Sequence, residues 1–194
     1  MENNYLNLPF NYFIGSWKID EKLCDEIVAY FYDNQSQHTR GTVGNNELKE
    51  HVKSSTDCCF NINDCIFQDY CMVLQECLDD YSNTYPAIKT LEPFSNLVER
   101  TNIQRYAPGE GYFAYHCERN GFPKTMSRQL VYMTYLNTVE DAGTHFNYFD
   151  VTVPCVKGLT LIWPSDWTHT HAGITNQKEN KYITTGWFSY VEQR

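Results

Sequence analysis

Two short segments of this chain carry the residue types from which a metal site is built. In Tyr115-His116-Cys117-Glu118 a histidine and a carboxylate stand two positions apart, so on an extended backbone they project to the same side and converge on one ion. In Trp167-Thr168-His169-Thr170-His171 two further imidazoles follow, about fifty residues later. They share a facing if the segment is extended, so either one supplies a third ligand while the other stands beside it. Two imidazoles and one carboxylate make a facial triad, which leaves coordination positions of a non-haem iron(II) open for a cosubstrate and dioxygen.

Lys181 stands ten residues after His171, at the start of the strand-like run KYITTGWF. An ammonium group inside a barrel needs an anion. The carboxylate of a dicarboxylic keto acid satisfies it while the other end of that acid chelates the metal. Tyr106 and Tyr135 fall in neighbouring strand-like runs and can donate phenolic hydrogen bonds to the same carboxylate. The other polar and aromatic residues of this region have plainer readings: Arg128 as one half of a structural ion pair, Trp187 as barrel filling, His145 as an ordinary strand residue. Asp150 lies five positions after His145 and faces the opposite side of a strand, so the pair makes no rival site.

The elements that must hold these residues are legible in the hydrophobic periodicity. Asp20 caps a helix starting at Glu21, in which Leu23, Ile27 and Phe31 form an apolar stripe ending near Asp33-Asn34. A second amphipathic helix spans about Asn63 to Tyr81 through Ile66, Tyr70, Leu74, Cys77 and Tyr81, with Asp79 and Asp80 on a solvated side, and Tyr85-Pro86 ends that region. Between them the polar stretch 34–55, with Gly41 and Gly44, reads as a long loop with the character of a lid. Beyond Thr101 the pattern changes to NIQRYA, QLVYMTYLN, THFNYFDVTVP, LTLIWP and KYITTGWFSYV, short β-branched and aromatic runs with no helical segment between them. The expected fold is mainly β with N-terminal α-helices: a jelly-roll barrel backed by helices, with helical support over 15–90 and a β core over about 100–194, in one domain.

Composition narrows the function classes. Aromatic residues make up 15% of the chain, which favours pleated, half-buried surfaces. The net charge of −9, without any basic run, opposes nucleic acid and anionic membrane surfaces as partners. No apolar stretch approaches the ~20 residues that span a bilayer, and the N-terminal residues lack a signal-peptide pattern. A cytoplasmic setting is expected, in which the eight irregularly spaced cysteines are reduced thiols without a CxxC pair to build a zinc site.

The runs RYAPGEGYFAYHCE, RQLVYMTYLN, AGTHF, VPCVKGLTLIWP and H-x9-KYITTGW occur in an order that resembles the prolyl 4-hydroxylase-like iron(II)/2-oxoglutarate dioxygenases, over about residues 100–190. The resemblance implies a double-stranded β-helix (cupin-like) with His116, Glu118 and His171 as iron ligands. It also implies Lys181 as the 2-oxoglutarate anchor, aided by Tyr106 and Tyr135. The implied activity is hydroxylation of a prolyl residue in a peptide or protein, with release of succinate and CO2. A free amino acid or other small molecule is the alternative substrate, and a non-enzymatic cupin-like binding module the alternative function. The family usually presents His-x-Asp; here the carboxylate is Glu118, whose extra methylene lengthens its reach to the metal.

Overall fold

The computed structural model describes residues 2–44, 46–91, 93–97 and 99–191. Its strands are β1 (Glu2–Asn3), β2 (Gly15–Lys18), β3 (Thr39–Arg40), β4 (Lys53–Ser54), β5 (Thr56–Cys59), β6 (Phe94–Ser95), β7 (Asn102–Tyr106), β8 (Gly111–Tyr112), β9 (Arg128–Tyr135), β10 (Val139–Phe146), β11 (Val151–Cys155), β12 (Leu159–Pro164), β13 (His171–Ile174) and β14 (Lys181–Tyr190). The major sheet runs β1-β2-β12-β9-β14-β7-β5-β3, with β6 on β14, and it is faced by the smaller sheet β11-β10-β13. This is a double-stranded β-helix. β4 and β8 pair separately, and an antiparallel bridge between His116 and His171 adds the segment of the first candidate ligands to the edge of the smaller sheet.

The central strands of the major sheet are buried on both faces, and their alternation decides what each face does. On β9, Leu130 and Tyr132 point to the helices while Val131, Met133 and Tyr135 point into the barrel. On β14, Tyr182 and Phe188 take the helix side, and Ile183 and Trp187 the barrel side. Lys181 shares the parity of Ile183, so the strand delivers its side chain inward.

Helix α1 (Glu21–Asp33) starts where its cap predicts, with the Asp20 carboxylate accepting from the Lys22 N–H at 2.9 Å. Helix α2 (Cys65–Thr84) buries Tyr70, Leu74, Cys77 and Tyr81 as the spacing requires. Both pack on the outer face of the major sheet through Ile27, Phe31, Phe67 and Leu74. Asp80 is not merely solvated, because its carboxylate accepts from the Trp17 indole at 2.9 Å and ties α2 to β2.

Three expectations change. The stretch 34–55 is not a structureless loop: it contains β3, which extends the major sheet, a Val43–Glu47 bridge and β4. Residues 15–90 are likewise not wholly helical, since β2 and β5 join the major sheet from that region. The run THFNYFDVTVP is two strands, because Asp150 takes a left-handed conformation (φ 48°) after a turn at Asn147–Phe149 and reverses the chain. None of the eight cysteines is disulfide-bonded. No helix among the described residues is long and apolar enough to cross a membrane.

Candidate active site

The fold brings His116, Glu118 and His171 together. Their ligand atoms all lie within 4.8 Å of one another. Glu118 Oε1 stands 3.2 Å from His116 Nε2 and 3.7 Å from His171 Nε2. Each imidazole is oriented by a backbone carbonyl, His116 Nδ1 donating to Ala114 O at 3.0 Å and His171 Nδ1 to His169 O at 2.8 Å. A carbonyl can only accept, so each Nδ1 carries a proton and each Nε2 is turned toward the cluster. Tyr112 stacks on the His116 ring at 3.6 Å between centroids and fixes its plane.

His169 is not in the cluster. A 3-10 turn at Trp167–His169 breaks the extended parity, and its ring is buried elsewhere, with Nε2 2.9 Å from Tyr12 O. His145 and Asp150 are closer than alternation predicts, 3.4 Å apart, because Asp150 lies in the turn rather than on a strand; they stand outside the cluster.

Electrostatics suit a divalent cation. Burial alone would raise the Glu118 carboxyl, but the hydrogen bond from His116 and the charges of His116, His171 and Arg128 outweigh it and bring the pKa to about 2. Burial, followed by the proximity of His116, lowers His171 to about 4. At neutral pH the cluster therefore offers a carboxylate and at least one imidazole already stripped of its proton, as metal ligation requires.

Beside the cluster lies a cavity of about 680 Å³. Lys181 lines it, buried, with Nζ donating to Ile174 O at 3.1 Å and lying 5.0 Å from the Tyr106 ring centre. Among the described residues no carboxylate stands within 4.0 Å of this ammonium, and its pKa is lowered by burial. Tyr135 and Tyr106 line the same cavity, but their hydroxyls are engaged, Tyr135 with Thr144 Oγ1 and Tyr106 with Gln104 Oε1, both at 2.6 Å.

Several cavity residues escape the sequence reading. Thr144 on β10 reaches Tyr135 on β9 across the gap between the two sheets, and Gln104, Asn102 and Asp57 form a polar floor where β7 and β5 pair. Trp187 does not simply fill the barrel: it lines the cavity and its indole donates to Glu118 Oε2 at 3.1 Å. Arg128 makes the expected ion pair, with Glu99, and adds a contact to Glu118.

A family model described as the 2OG-Fe(II) oxygenase superfamily matches residues 101–189. No curated protein matches the sequence significantly. The fold is similar to that of a prolyl-4-hydroxylase from Pseudomonas putida, with a TM-score of 0.70 at 15% identity, covering 93% of this chain and 94% of that one. It is also similar to the viral collagen prolyl hydroxylase of Paramecium bursaria Chlorella virus-1, solved with 2-oxoglutarate (TM-score 0.67, 16% identity, 92% and 97% covered). A third similar structure is a Trichoplax adhaerens prolyl hydroxylase in complex with a hypoxia inducible factor oxygen degradation domain peptide (TM-score 0.70, 16% identity, 96% and 86% covered). At these identities the likeness is one of fold, and it joins a family match that spans every strand from β7 to β13 and most of β14. The match to the 2OG-Fe(II) oxygenase superfamily thus lies on the strands from β7 onward, and the chain as a whole has the fold of the prolyl hydroxylases.

Proposed function

We propose that the chain is an iron(II)- and 2-oxoglutarate-dependent dioxygenase that hydroxylates a prolyl residue of a peptide or protein, with His116, Glu118 and His171 holding iron(II) and Lys181 anchoring 2-oxoglutarate. One observation carries the reading: three converging ligand atoms and a buried ammonium without a carboxylate partner share one cavity. The bound iron and keto acid supply the oxidising power, with succinate and CO2 as co-products.

The chain's own residues orient and shield. The backbone carbonyls at Ala114 and His169 hold the two Nδ1 atoms and so aim both Nε2 atoms at the cluster. Lys181 meets the distal carboxylate of the cosubstrate with a charge-assisted hydrogen bond, and that carboxylate returns to the ammonium the counter-charge its burial lacks. Met133 and Ile183 line the cavity with apolar surface and keep water from the reacting groups.

The size and the floor of the cavity support a substrate larger than the cosubstrate alone, its volume lying in the range of pockets that enclose drug-sized ligands. Gln104 Oε1 accepts from Tyr106 and Asn102 Oδ1 from Cys59, which leaves the two amide NH2 groups to donate to main-chain carbonyls. The prolyl hydroxylases of similar fold support the choice of target residue. The test is incubation with iron(II), 2-oxoglutarate and either a proline-containing peptide or free amino acids, following succinate and substrate mass. One oxygen gained by the peptide per succinate is expected; oxidation of a free amino acid with an untouched peptide would overturn the substrate class.

A further inference from the structure

Glu118 presents its two carboxylate oxygens to different surroundings. Oε1 faces both imidazoles. Oε2 faces away and accepts two N–H donors, the Trp187 indole at 3.1 Å and an Arg128 guanidinium nitrogen at 3.3 Å. The same guanidinium nitrogen donates to the backbone carbonyl of Glu118 at 3.0 Å, so Arg128 holds residue 118 at both ends.

Arg128 is itself fixed from three sides. Glu99 grips it bidentately at 2.7 and 2.6 Å, the Glu118 carbonyl accepts from it, and its guanidinium lies 3.4 Å over the Trp187 ring centre. It is buried, so these contacts act in a weakly screened setting. The strong bidentate pairing goes to Glu99, leaving Glu118 a single longer contact. Its negative charge is therefore not cancelled, and the carboxylate stays available to a cation.

A glutamate has one more rotatable bond than the aspartate usual in this family, so a free one would offer either oxygen, or both, to a metal. We propose that Arg128 and Trp187 are positioning residues that sequester Glu118 Oε2, fix the longer side chain in one rotamer and make it a one-oxygen ligand, so that this site is built for glutamate and not for aspartate. The proposal rests on the reading of His116, Glu118 and His171 as the metal ligands. An aspartate here stops one methylene short and cannot both face the imidazoles and reach the two donors.

The experiment is cobalt(II) titration of the metal-free protein, read as dissociation constant and visible spectrum, for wild type, Trp187→Phe, Arg128→Lys, Glu118→Asp and the Glu118→Asp/Trp187→Phe double variant. Trp187→Phe keeps a ring for Arg128 to stack on and removes only the N–H, and urea unfolding of each metal-free variant reports its fold. The expected result is about a tenfold or greater loss of cobalt affinity with an altered spectrum for Trp187→Phe and Arg128→Lys, the size usual when partners of metal ligands are removed. Glu118→Asp also weakens binding, and in that background Trp187→Phe has no further effect, a coupling that a merely structural role would not produce. Wild-type affinity and spectrum in Trp187→Phe, or binding by Glu118→Asp as tight as wild type, overturns the proposal. His116→Ala is the control: loss of binding there keeps the metal-site reading intact whatever the other variants do, whereas retained binding removes that reading and the proposal with it.

Discussion

Lys181 is an ammonium group held among Tyr106, Ile183 and the backbone of β13, an arrangement that is unfavourable until an anion arrives. Replacing it with methionine removes a charge-assisted hydrogen bond worth about 1.5–3 kcal/mol. The KM for 2-oxoglutarate in Lys181→Met should rise about 10- to 100-fold in steady-state assays. The urea midpoint of the cosubstrate-free protein should hold or rise, because an uncompensated buried charge is gone. An unchanged KM would move the anchor to another residue. The positions of Lys181, His116 and Glu118 were legible in the sequence because spacing on an extended backbone fixes facing. Facing alone left His169 and His171 equivalent, and only the family spacing to Lys181 favoured His171, because the 3-10 turn between β12 and β13 that abolishes their shared parity is not visible in the alternation. The grip of Arg128 and Trp187 on Glu118 was hidden for another reason: it depends on the pairing of β9 with β14 across about sixty residues of chain.

At the scale of elements, the two-sided burial of β9, β12 and β14 serves two cores, and the helix side carries a polar linkage. Tyr70 on α2 hydrogen-bonds Thr134 on β9 at 2.8 Å and Thr184 on β14 at 2.6 Å, and Thr134 continues to Thr160 on β12 at 2.8 Å. Tyr70→Phe leaves buried hydroxyls short of a partner, and the expected loss in urea unfolding is about 1–3 kcal/mol, with no change in the KM for 2-oxoglutarate, since the linkage lies on the far face from the cavity. A KM shift would mean that the two faces of the sheet are coupled. Both helices were readable from periodicity and capping. The short strands of 34–59 were not, because two- to four-residue strands at a sheet edge carry too few residues to establish an alternation and are set by their partners β7 and β8.

At the scale of the whole molecule, the net charge of −9 repels a dianionic cosubstrate, yet the described residues lining the cavity include six basic side chains and three acidic ones. The basic six are Arg40, Lys53, Arg100, Lys124, Arg128 and Lys181, against Asp57, Glu99 and Glu118. This local reversal was invisible to composition, because the fold gathers residues 40–57 from the N-terminal half against strands of the C-terminal half. The N-terminal hundred residues thus do more than support the barrel: β5 widens the major sheet, and the segments around it form one wall of the cavity. What joins both halves is the centre where His116, Glu118 and His171 meet beside Lys181, and its most direct test is diffraction from crystals grown without oxygen in manganese(II) and 2-oxoglutarate. The account predicts one anomalous peak at ligand distance from His116 Nε2, Glu118 Oε1 and His171 Nε2, with the distal carboxylate of 2-oxoglutarate on Lys181 Nζ; a peak at His145 and Asp150 instead, or none at the cluster, would contradict it.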